Sequence, residues 1–338
     1  MKTGLASLSG LTALTVEPDF SAASLRLDPG AETDRIVESL RRQVQGTLRK
    51  RGIVLGLSGG VDSSLCAALA VQAVGAEHVL GLLMPEHDSD PESLTLGREV
   101  ADAFGIRSTI EDIGDTLQAM GCYARRDDAI RTVEPAYAED WRSKVVIANP
   151  LAGAEYGISS LVVQSPTGQM RKIRLRAATY QAIVAATNMK QRTRKQMEYY
   201  HADRLNYAVL GTPNKLEYDQ GFFVKNGDGA ADVKPIAHLY KAQVYQLAEH
   251  VGVPIGIRSR PPTTDTWSLP QTQEEFYFAL PWQAMDLCLA GLSLHAPPHA
   301  VAACTDLRED QVMRIWRDIE AKRTATAALH LPPLLCGA

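Results

Sequence analysis

The 338-residue chain lacks the features that mark several other classes of protein. Its five cysteines are widely spaced and form no CxxC pair, which favours reduced thiols over a disulfide framework or a zinc site. It has no uninterrupted apolar run of about 18 residues and no convincing signal-peptide cleavage site near its N-terminus. We therefore expect no membrane span, and we predict a cytoplasmic location.

The chain also lacks an excess of basic residues. Its formal net charge is −4 and its pI is about 6.1. A general nucleic-acid binder needs clustered Lys and Arg to contact phosphates, so we expect no nucleic-acid partner. What the chain does have is a hydrophobic fraction of 45%, which is enough for the core of a large α/β domain.

The most informative pattern is IVLGLSGGVDSSL, at residues 53–65. An apolar run predicts a buried strand and the following spacing predicts a helix, so the glycine-serine turn lies between them. Gly59 and Gly60 let the backbone approach an anion, and the free amides and dipole of the new helix favour negative charge. Ser58 and Ser63 add hydroxyl donors. The pattern therefore predicts a phosphate-binding turn.

Asp62 is the unusual member of this turn. A carboxylate beside a polyphosphate repels it unless a cation lies between them, so we infer a bound Mg²⁺. No Lys follows the glycines, which distinguishes the string from the common nucleotide loop GxxxxGK[ST]. A lone Gly-Gly-Ser turn could be an ordinary capped connection, but the seven matched residues of SGGVDSS favour the phosphate site.

Strand-like and helix-like patterns alternate along the chain. A helix over residues 33–50 precedes the turn, and strands near 78–84 and 107–110 enclose a helix over 91–104. Such units predict an α/β fold with a doubly wound, mostly parallel sheet and helices on both faces. Ligands bind such sheets at the carboxyl ends of the strands, where the phosphate-binding turn falls.

We divide the chain into an N-terminal arm (residues 1–33), a main domain (34–270) and a helical C-terminal extension (271–338). The α/β pattern of the main domain resumes with a helix over 177–205 and a buried strand over 207–210. A further helix is expected over residues 239–251, and two more near 280–290 and 308–324 in the extension.

An insertion at about residues 121–176 interrupts the main domain. Residues 144–148 and 160–176 alternate apolar and polar side chains, and Pro166-Thr167-Gly168 forms a turn, so we predict an inserted β-hairpin. Its basic strand either faces an anionic ligand or is a solvated edge strand, which charged residues protect from pairing; we favour the latter. The basic residues are Arg171, Lys172, Arg174 and Arg176.

Two polar segments follow the insertion. On the predicted helix, Asn188 and Arg192 share one face while Lys190 and Arg194 share another, so the helix either addresses a ligand or is a solvated basic helix. The loop over residues 211–232 follows a buried strand directly and is rich in glycine and charged residues. Such a loop at a strand end usually belongs to a site.

The chain resembles the ammonia-dependent NAD synthetases, which are N-type ATP pyrophosphatases of the PP-loop superfamily. Its matching motifs occur over residues 35–270 in the order and spacing of the family. They are SGGVDSS at Ser58, MPEHDSDPESL at Met84, NMKQRTRKQM at Asn188, GTPNKLE at Gly211, KNGDGAAD at Lys225, HLYKAQV at His238 and RPPTTD at Arg260.

The resemblance implies an adenine nucleotide alpha hydrolase-like fold and a two-step amide synthesis. ATP adenylates the carboxylate of deamido-NAD and releases pyrophosphate, and ammonia then displaces AMP to give NAD⁺. The family's ATP-binding positions correspond here to Gly56, Leu57, Ser58, Gly59, Gly60, Val61, Asp62, Ser63, Thr212, Lys241 and Thr263.

The resemblance also implies roles for individual residues. Asp62, Lys241 and Thr263 are expected to be catalytic, and Asp62 and Glu217 to bind Mg²⁺. The substrate-binding positions are Arg192, Lys225, Asp232 and Lys322. No nucleophile is required, because Mg²⁺, Lys241 and the helix N-terminus can stabilise the charge that develops on pyrophosphate. The family also implies a homodimer, supplied with free ammonia or with ammonia from a separate glutaminase.

This sequence departs from the family on the acceptor side. The family's His-Lys pair falls at Ala321-Lys322, Pro213 replaces a small residue, and WSLPQTQEEFYFALPW replaces an acidic stretch after the Pro-Pro turn. A second hypothesis is therefore an amide ligase for another carboxylate in surface-polysaccharide or specialised metabolism. tRNA modification and a catalytically silent binding module are further alternatives, but the first commonly requires a cysteine pair and the second is disfavoured by the retained Asp62 and Glu217.

Overall fold

A computed structural model describes residues 20–147, 151, 159–263 and 266–336 of the chain. Its central sheet consists of the parallel strands β1 (Ile53–Gly56), β2 (Val79–Leu83), β3 (Arg107–Ile110) and β7 (Ala208–Val209). The strand order is β3-β2-β1-β7, so the winding reverses between β1 and β7. The predicted doubly wound α/β fold is confirmed, and the reversal point is where such sheets bind ligands.

Helices cover both faces of this sheet. Leu55 of β1 packs in one core cluster with Leu65 and Leu69, whereas its neighbour Val54 packs in another with Leu80 and Ala202. The helices are α1 (Pro29–Arg41), α2 (Val61–Val74), α3 (Pro91–Ala103), α4 (Gly114–Ala119), α5 (Cys122–Arg131), α6 (Ala177–Leu205), α7 (Lys215–Gln220), α8 (Lys241–His250), α9 (Ile255–Arg258), α10 (Trp282–Ser293), α11 (Pro298–Ala302) and α12 (Glu309–His330). Among the described residues, none of these helices combines the length and apolarity needed to cross a lipid bilayer.

The first helix begins earlier than the sequence pattern predicted. The expected start was residue 33, but α1 begins at Pro29 because the Asp28 carboxylate accepts hydrogen bonds from the amides of Gly30 (3.0 Å) and Ala31 (3.1 Å). A wider turn, Arg42–Thr47, with π-helical hydrogen bonding follows α1. Residues 1–19 of the predicted arm lie outside the described residues, and the three-part division of the chain stays a prediction.

The predicted hairpin is part of a larger antiparallel sheet. Strands β5 (Ser159–Gln164) and β6 (Met170–Arg174) form the hairpin around the expected turn, but β4 (Arg142–Ile147) pairs with β5 as a third strand. The predicted hairpin is thus confirmed, and residues 144–147 of the alternating segment 144–148 belong to the third strand. β6 lies at the exposed edge of the sheet, in agreement with the predicted charged edge strand, and its Arg171 pairs with Glu134 at 2.5 Å.

The C-terminal helices form a second core with the start of the described chain. Met285 of α10, Val301 of α11 and Ile315 of α12 are completely buried and cluster with Phe20 and Leu25. The two predicted helices are confirmed with somewhat different bounds, and the short α11 lies between them. This core is separate from the two that cover the central sheet.

A close approach between α3 and the phosphate-binding turn gives a test of the packing. A Cβ added at Gly97 would lie 2.5 Å from Leu83 Cδ2 and 2.8 Å from the Leu57 carbonyl oxygen. We expect Gly97→Ala to lower the free energy of unfolding by about 1–3 kcal/mol in urea titrations. Gly256→Ala, in a helix with no atom within 4 Å of the added Cβ, is the matched control and should be neutral or stabilising. Equal stabilities of the two variants would contradict this packing.

Candidate active site

The phosphate-binding turn connects β1 to α2 at the reversal point of the sheet. Gly59 has a φ of 74°, and a Cβ there would lie 2.5 Å from Leu96 Cβ, so the position requires glycine. The Ser58 hydroxyl accepts a hydrogen bond from the Gly60 amide at 3.3 Å, and the Ser63 hydroxyl donates to the Gly60 carbonyl at 3.0 Å. These bonds fix the turn against the first turn of α2.

Two adjoining cavities open beside this turn. The larger, of about 510 Å³, brings the turn together with Thr212, Glu217, Lys241 and Thr263, all predicted to bind ATP or its metal. The smaller, of about 390 Å³, lies along the carboxyl ends of β1 and β2. Both cavities share Ser58, Ser63 and Thr212, so one elongated ligand can occupy both.

A charged cluster lines the larger cavity. Lys241 Nζ forms an ion pair with Asp62, and the Asn214 side-chain amide donates to Asp62 Oδ1 at 3.0 Å. The Asn214 backbone amide donates to Glu217 Oε2 at 3.0 Å, while the Gln273 amide donates to Glu217 Oε1 at 2.8 Å. Asn214 thereby binds both carboxylates and holds them close together.

Burial and proximity perturb the ionisation of this cluster. Burial, together with the negative charge of Asp62, raises the pKa of Glu217 to about 7 even though Lys241 and two hydrogen bonds oppose the shift. Burial alone would lower the pKa of Lys241, but Asp62 and Glu217 raise it overall. The lysine is therefore a permanent cation, and Glu217 has a carboxylate that lacks full charge compensation.

The donor set fits Mg²⁺ bound together with a polyphosphate. Asp62 and Glu217 supply carboxylate oxygens, which this hard cation prefers, and the charge on Glu217 calls for a further cation. Among the described residues, no group of three or more His, Cys, Asp or Glu side chains is placed so that it could hold a metal ion. Mg²⁺ commonly takes its remaining ligands from phosphates and water, so two protein carboxylates are sufficient.

Asp286 anchors the helix that carries Lys241. This fully buried carboxylate accepts hydrogen bonds from the backbone amides of Lys241 (3.1 Å) and Ala242 (2.7 Å), the first residues of α8. A cationic side chain at a helix N-terminus is unfavourable, and an anionic cap opposes that cost. Burial raises the pKa of Asp286 to about 7, although both backbone bonds lower it.

The smaller cavity combines apolar and charged walls. Leu57, Leu82 and Met84 contribute apolar surface, and Glu198 and Arg194 line the cavity from α6. Glu198 pairs with Lys195 at 2.6 Å, and Arg194 donates to the Met84 carbonyl at 3.3 Å. An apolar slot with a few polar groups suits a flat heteroaromatic ring.

The predicted substrate-binding residues do not line either cavity. Arg192 and Lys225 are exposed neighbours, with Arg192 Nε donating to the Lys225 carbonyl at 3.2 Å. Lys225 Nζ donates to two carbonyls near the end of α12, and Asp232 accepts from the Val209 amide at 2.8 Å. Lys322 pairs with Asp318 at 2.6 Å. Their roles toward a substrate stay predictions.

Helix α6 lines the site with part of its surface and buries one of its basic residues. Lys190 is completely buried and donates to Glu86 (2.9 Å), Asp88 (2.5 Å) and the Thr266 carbonyl (2.8 Å). The hypothesis of a solvated basic helix was therefore wrong for Lys190. Asn188 does line the larger cavity, so its face of the helix addresses the site.

Sequence reasoning assigned no role to three residues of the site. Asn214 could have been found, because Asn214 and Glu217 form a capping box whose N-x-x-E spacing is visible in the sequence. Gln273 and Asp286 reach the site from other segments and carried no signal. Cys66 of α2 is buried, and burial raises the pKa of its thiol, so it is no activated nucleophile.

The fold and the site together define a class of protein. A doubly wound sheet presents a glycine-serine phosphate-binding turn at its reversal point, with carboxylates and a lysine beside it, so this is a nucleotide-binding α/β protein. The chain belongs to the NAD synthase family, whose model matches residues 32–134 and 157–325. The predicted family is confirmed.

Individual relatives agree with this assignment. The chain is 64% identical over 322 residues to the NH(3)-dependent NAD(+) synthetase of Rhizobium rhizogenes, covering 95% of this chain and 97% of that protein. It is also 64% identical over 327 residues to the enzyme of the same name from Rhizobium meliloti, covering 95% and 98%. Such a relation over nearly the whole length of each protein supports a common function.

Solved structures support the fold. The NH3-dependent NAD synthetase of Campylobacter jejuni matches with a TM-score of 0.60 at 19% identity, over 92% of this chain and all of that one. An NMN synthetase from Francisella tularensis matches with a TM-score of 0.64 at 20% identity, over 93% of this chain and all of that one. These two proteins are named for different products, so the shared fold alone does not decide the acceptor.

The ionisation of Glu217 predicts how stability depends on pH without metal. Its pKa is about 7 in the folded protein against an ordinary 4.5, so the folded state retains a proton that the unfolded state has lost between these values. The free energy of unfolding should therefore contain a contribution that falls as pH rises from 4.5 to about 7. Glu217→Gln should remove this contribution in urea titrations with EDTA.

Asp286 also titrates in this pH range, so the test compares the pH-dependent change in the free energy of unfolding between each variant and the unsubstituted protein. The change in stability between pH 5 and pH 8 should be less unfavourable in Glu217→Gln than in the unsubstituted protein. Glu274→Gln, at an exposed position, is the control and should leave the change as it is. An identical pH dependence in all three proteins would contradict the assigned shift.

Proposed function

We propose that this chain is an ammonia-dependent NAD synthetase that converts deamido-NAD, ATP and ammonia into NAD⁺, AMP and pyrophosphate. The observation that carries the proposal is the cavity in which the phosphate-binding turn meets Asp62, Glu217 and Lys241. The near full-length similarity to named synthetases supports deamido-NAD as the acceptor, and it disfavours other carboxylates.

In the first step, a carboxylate oxygen of deamido-NAD attacks the α-phosphorus and the bond to pyrophosphate breaks. Negative charge grows on the departing pyrophosphate, where Lys241 and the amides at the N-terminus of α2 can stabilise it. Lys241 Nζ has three donors, and its bond to Asp62 leaves two for phosphate oxygens. Mg²⁺ bound at Asp62 and Glu217 would supply further positive charge.

In the second step, the ammonia nitrogen attacks the acyl carbon of the adenylate and AMP leaves. The nitrogen loses one proton as the amide forms, and the departing AMP phosphate or water takes that proton up. The chemistry needs no protein nucleophile, so exclusion of water from the adenylate is the main task of the cavity. Phe222, Phe276 and Tyr277 line the larger cavity, and their apolar rings are suited to that task.

Deamido-NAD is a dinucleotide, and the exposed positions of Arg192 and Lys225 fit a ligand that extends beyond the cavity of one subunit. Homodimer assembly, with a partner surface beside these residues, is part of the proposal. So are a cytoplasmic location and a supply of ammonia that is free or comes from a separate glutaminase.

Pyrophosphate release tests the reaction directly. We expect purified protein to release pyrophosphate only when deamido-NAD, ATP and Mg²⁺ are all present, and to form NAD⁺ when ammonium is added. A carboxylate panel that includes nicotinic acid mononucleotide tests the alternative acceptors. Release that is faster with another carboxylate, or that requires none, would overturn the proposed acceptor.

Lys241 is expected to act on the transition state. Lys241→Met should lower kcat about 100-fold or more, since it removes a preorganised positive charge from the leaving pyrophosphate. Lys172→Met, on the exposed edge strand β6, is the matched control and should retain activity. Thermal unfolding of both variants separates a loss of fold from a loss of catalysis. Unchanged kcat in folded Lys241→Met would exclude this role.

A further inference from the structure

One hydrogen-bond donor to Glu217, the side-chain amide of Gln273, has no role in the reaction steps described above. Glu217 Oε1 accepts a hydrogen bond from the Gln273 side-chain amide at 2.8 Å, and Glu217 Oε2 accepts one from the Asn214 backbone amide at 3.0 Å. Each carboxylate oxygen thus has one donor and keeps a lone pair free. The two bonds together fix the plane in which those free lone pairs point.

Gln273 reaches Glu217 from a distant part of the chain. Gln273 precedes a π-helical turn, Glu274–Phe278, whereas Glu217 lies in α7. The 56 residues between them mean that this bond depends on tertiary structure. Gln273 also lies within the stretch that replaces the family's acidic segment. Its amide is neutral, so it donates a hydrogen bond to the Glu217 carboxylate without adding another charge beside it.

The segment around Gln273 is fixed to the antiparallel sheet. The Gln271 side chain donates to the Val145 carbonyl of β4, and Lys144 of β4 pairs with Glu275 at 2.8 Å. These two attachments flank Gln273 on either side. The amide that contacts Glu217 is therefore held by β4 and is not a freely rotating surface group.

The same segment also holds Thr263. Thr263 and Thr272 form an antiparallel bridge, and the Gln273 backbone amide donates to the Pro262 carbonyl at 3.4 Å. Thr263 lines the larger cavity opposite the phosphate-binding turn. Movement of Gln273 would accordingly disturb both Glu217 and the predicted ATP contact at Thr263.

We propose that Gln273 is a positioning residue that orients the Glu217 carboxylate for Mg²⁺, and that the β4–β6 sheet acts on the metal site through it. This inference rests on the proposed function, because Glu217 has to be a metal ligand for it to hold. Groups that orient metal ligands from behind commonly contribute about 10–100-fold to metal affinity. Gln273 also lines the larger cavity, and the proposal predicts that its effect on cation binding is transmitted through Glu217.

Cation binding measured without turnover tests the proposal. Mn²⁺ replaces Mg²⁺ as a paramagnetic probe and is titrated into the full chain with α,β-methylene-ATP, which cannot be cleaved at the reacting bond. Gln273→Met keeps the length of the side chain but removes the donor. We expect it to weaken Mn²⁺ binding about tenfold, and saturating Mg²⁺ should restore most of kcat.

Three comparison proteins make the result specific. Gln118→Met introduces the same change at an exposed position of α4 that lines neither cavity, and it should bind Mn²⁺ like the unsubstituted protein. Glu217→Gln should weaken binding more than Gln273→Met does. The double variant should be no worse than Glu217→Gln alone, because Gln273 acts only through Glu217. A purely structural role would instead make the effects additive.

Each outcome decides between the hypotheses. Unchanged Mn²⁺ binding in folded Gln273→Met, with weakened binding in Glu217→Gln, would overturn the positioning role and leave the proposed function intact. Unchanged binding in Glu217→Gln would overturn the metal role of Glu217 and the positioning role together. Additive losses in the double variant would also reject the proposal.

Discussion

The candidate site depends on keeping two carboxylates and one ammonium group together inside the protein. Asp62, Glu217 and Lys241 come from three helices, and each would be costly to bury alone. The ion pair of Lys241 with Asp62 offsets part of this cost, and the amides of Asn214 and Gln273 supply further bonds. Removing one partner would leave a buried charge, which commonly costs about 3–5 kcal/mol.

The direction of the helices supports the same cluster. Asp62 lies in the first turn of α2 and Lys241 is the first residue of α8, so both helices turn their N-termini toward the larger cavity. Helix N-termini favour negative charge, which suits a polyphosphate and conflicts with a lysine. The buried Asp286 compensates at α8, where it satisfies two backbone amides and opposes the unfavourable cation.

The antiparallel sheet β4–β6 gives the site a second support. The segment over residues 266–273 packs along β4, with the Leu269 amide donating to the Ser143 carbonyl at 3.2 Å and Gln271 bonding to Val145. The family model leaves unmatched a stretch that ends just before β5, within the predicted insertion. Of the three strands only β4 lies in that unmatched stretch, and β4 is the strand to which the segment around Gln273 is bonded.

The sequence by itself determined the local elements and the phosphate-binding turn. Short-range patterns fixed these features: alternating strands and helices, the glycine positions, and the spacing of SGGVDSS. The resemblance to the family then implied roles for Glu217, Lys241, Thr212 and Thr263, and the structure brings these residues to one cavity with Asp62.

Only the tertiary structure decided which polar groups complete the site. Gln273 and Asp286 lie 56 and 45 residues away from their partners, so local periodicity carries no information about these contacts. The sequence left open whether Lys190 faces a ligand or solvent, and three acceptors from distant segments allow its burial instead. The alternating residues 144–148 indicated strand character, but the pairing of β4 with β5 was not predicted, because pairing across an intervening segment depends on packing, which short-range sequence patterns do not encode.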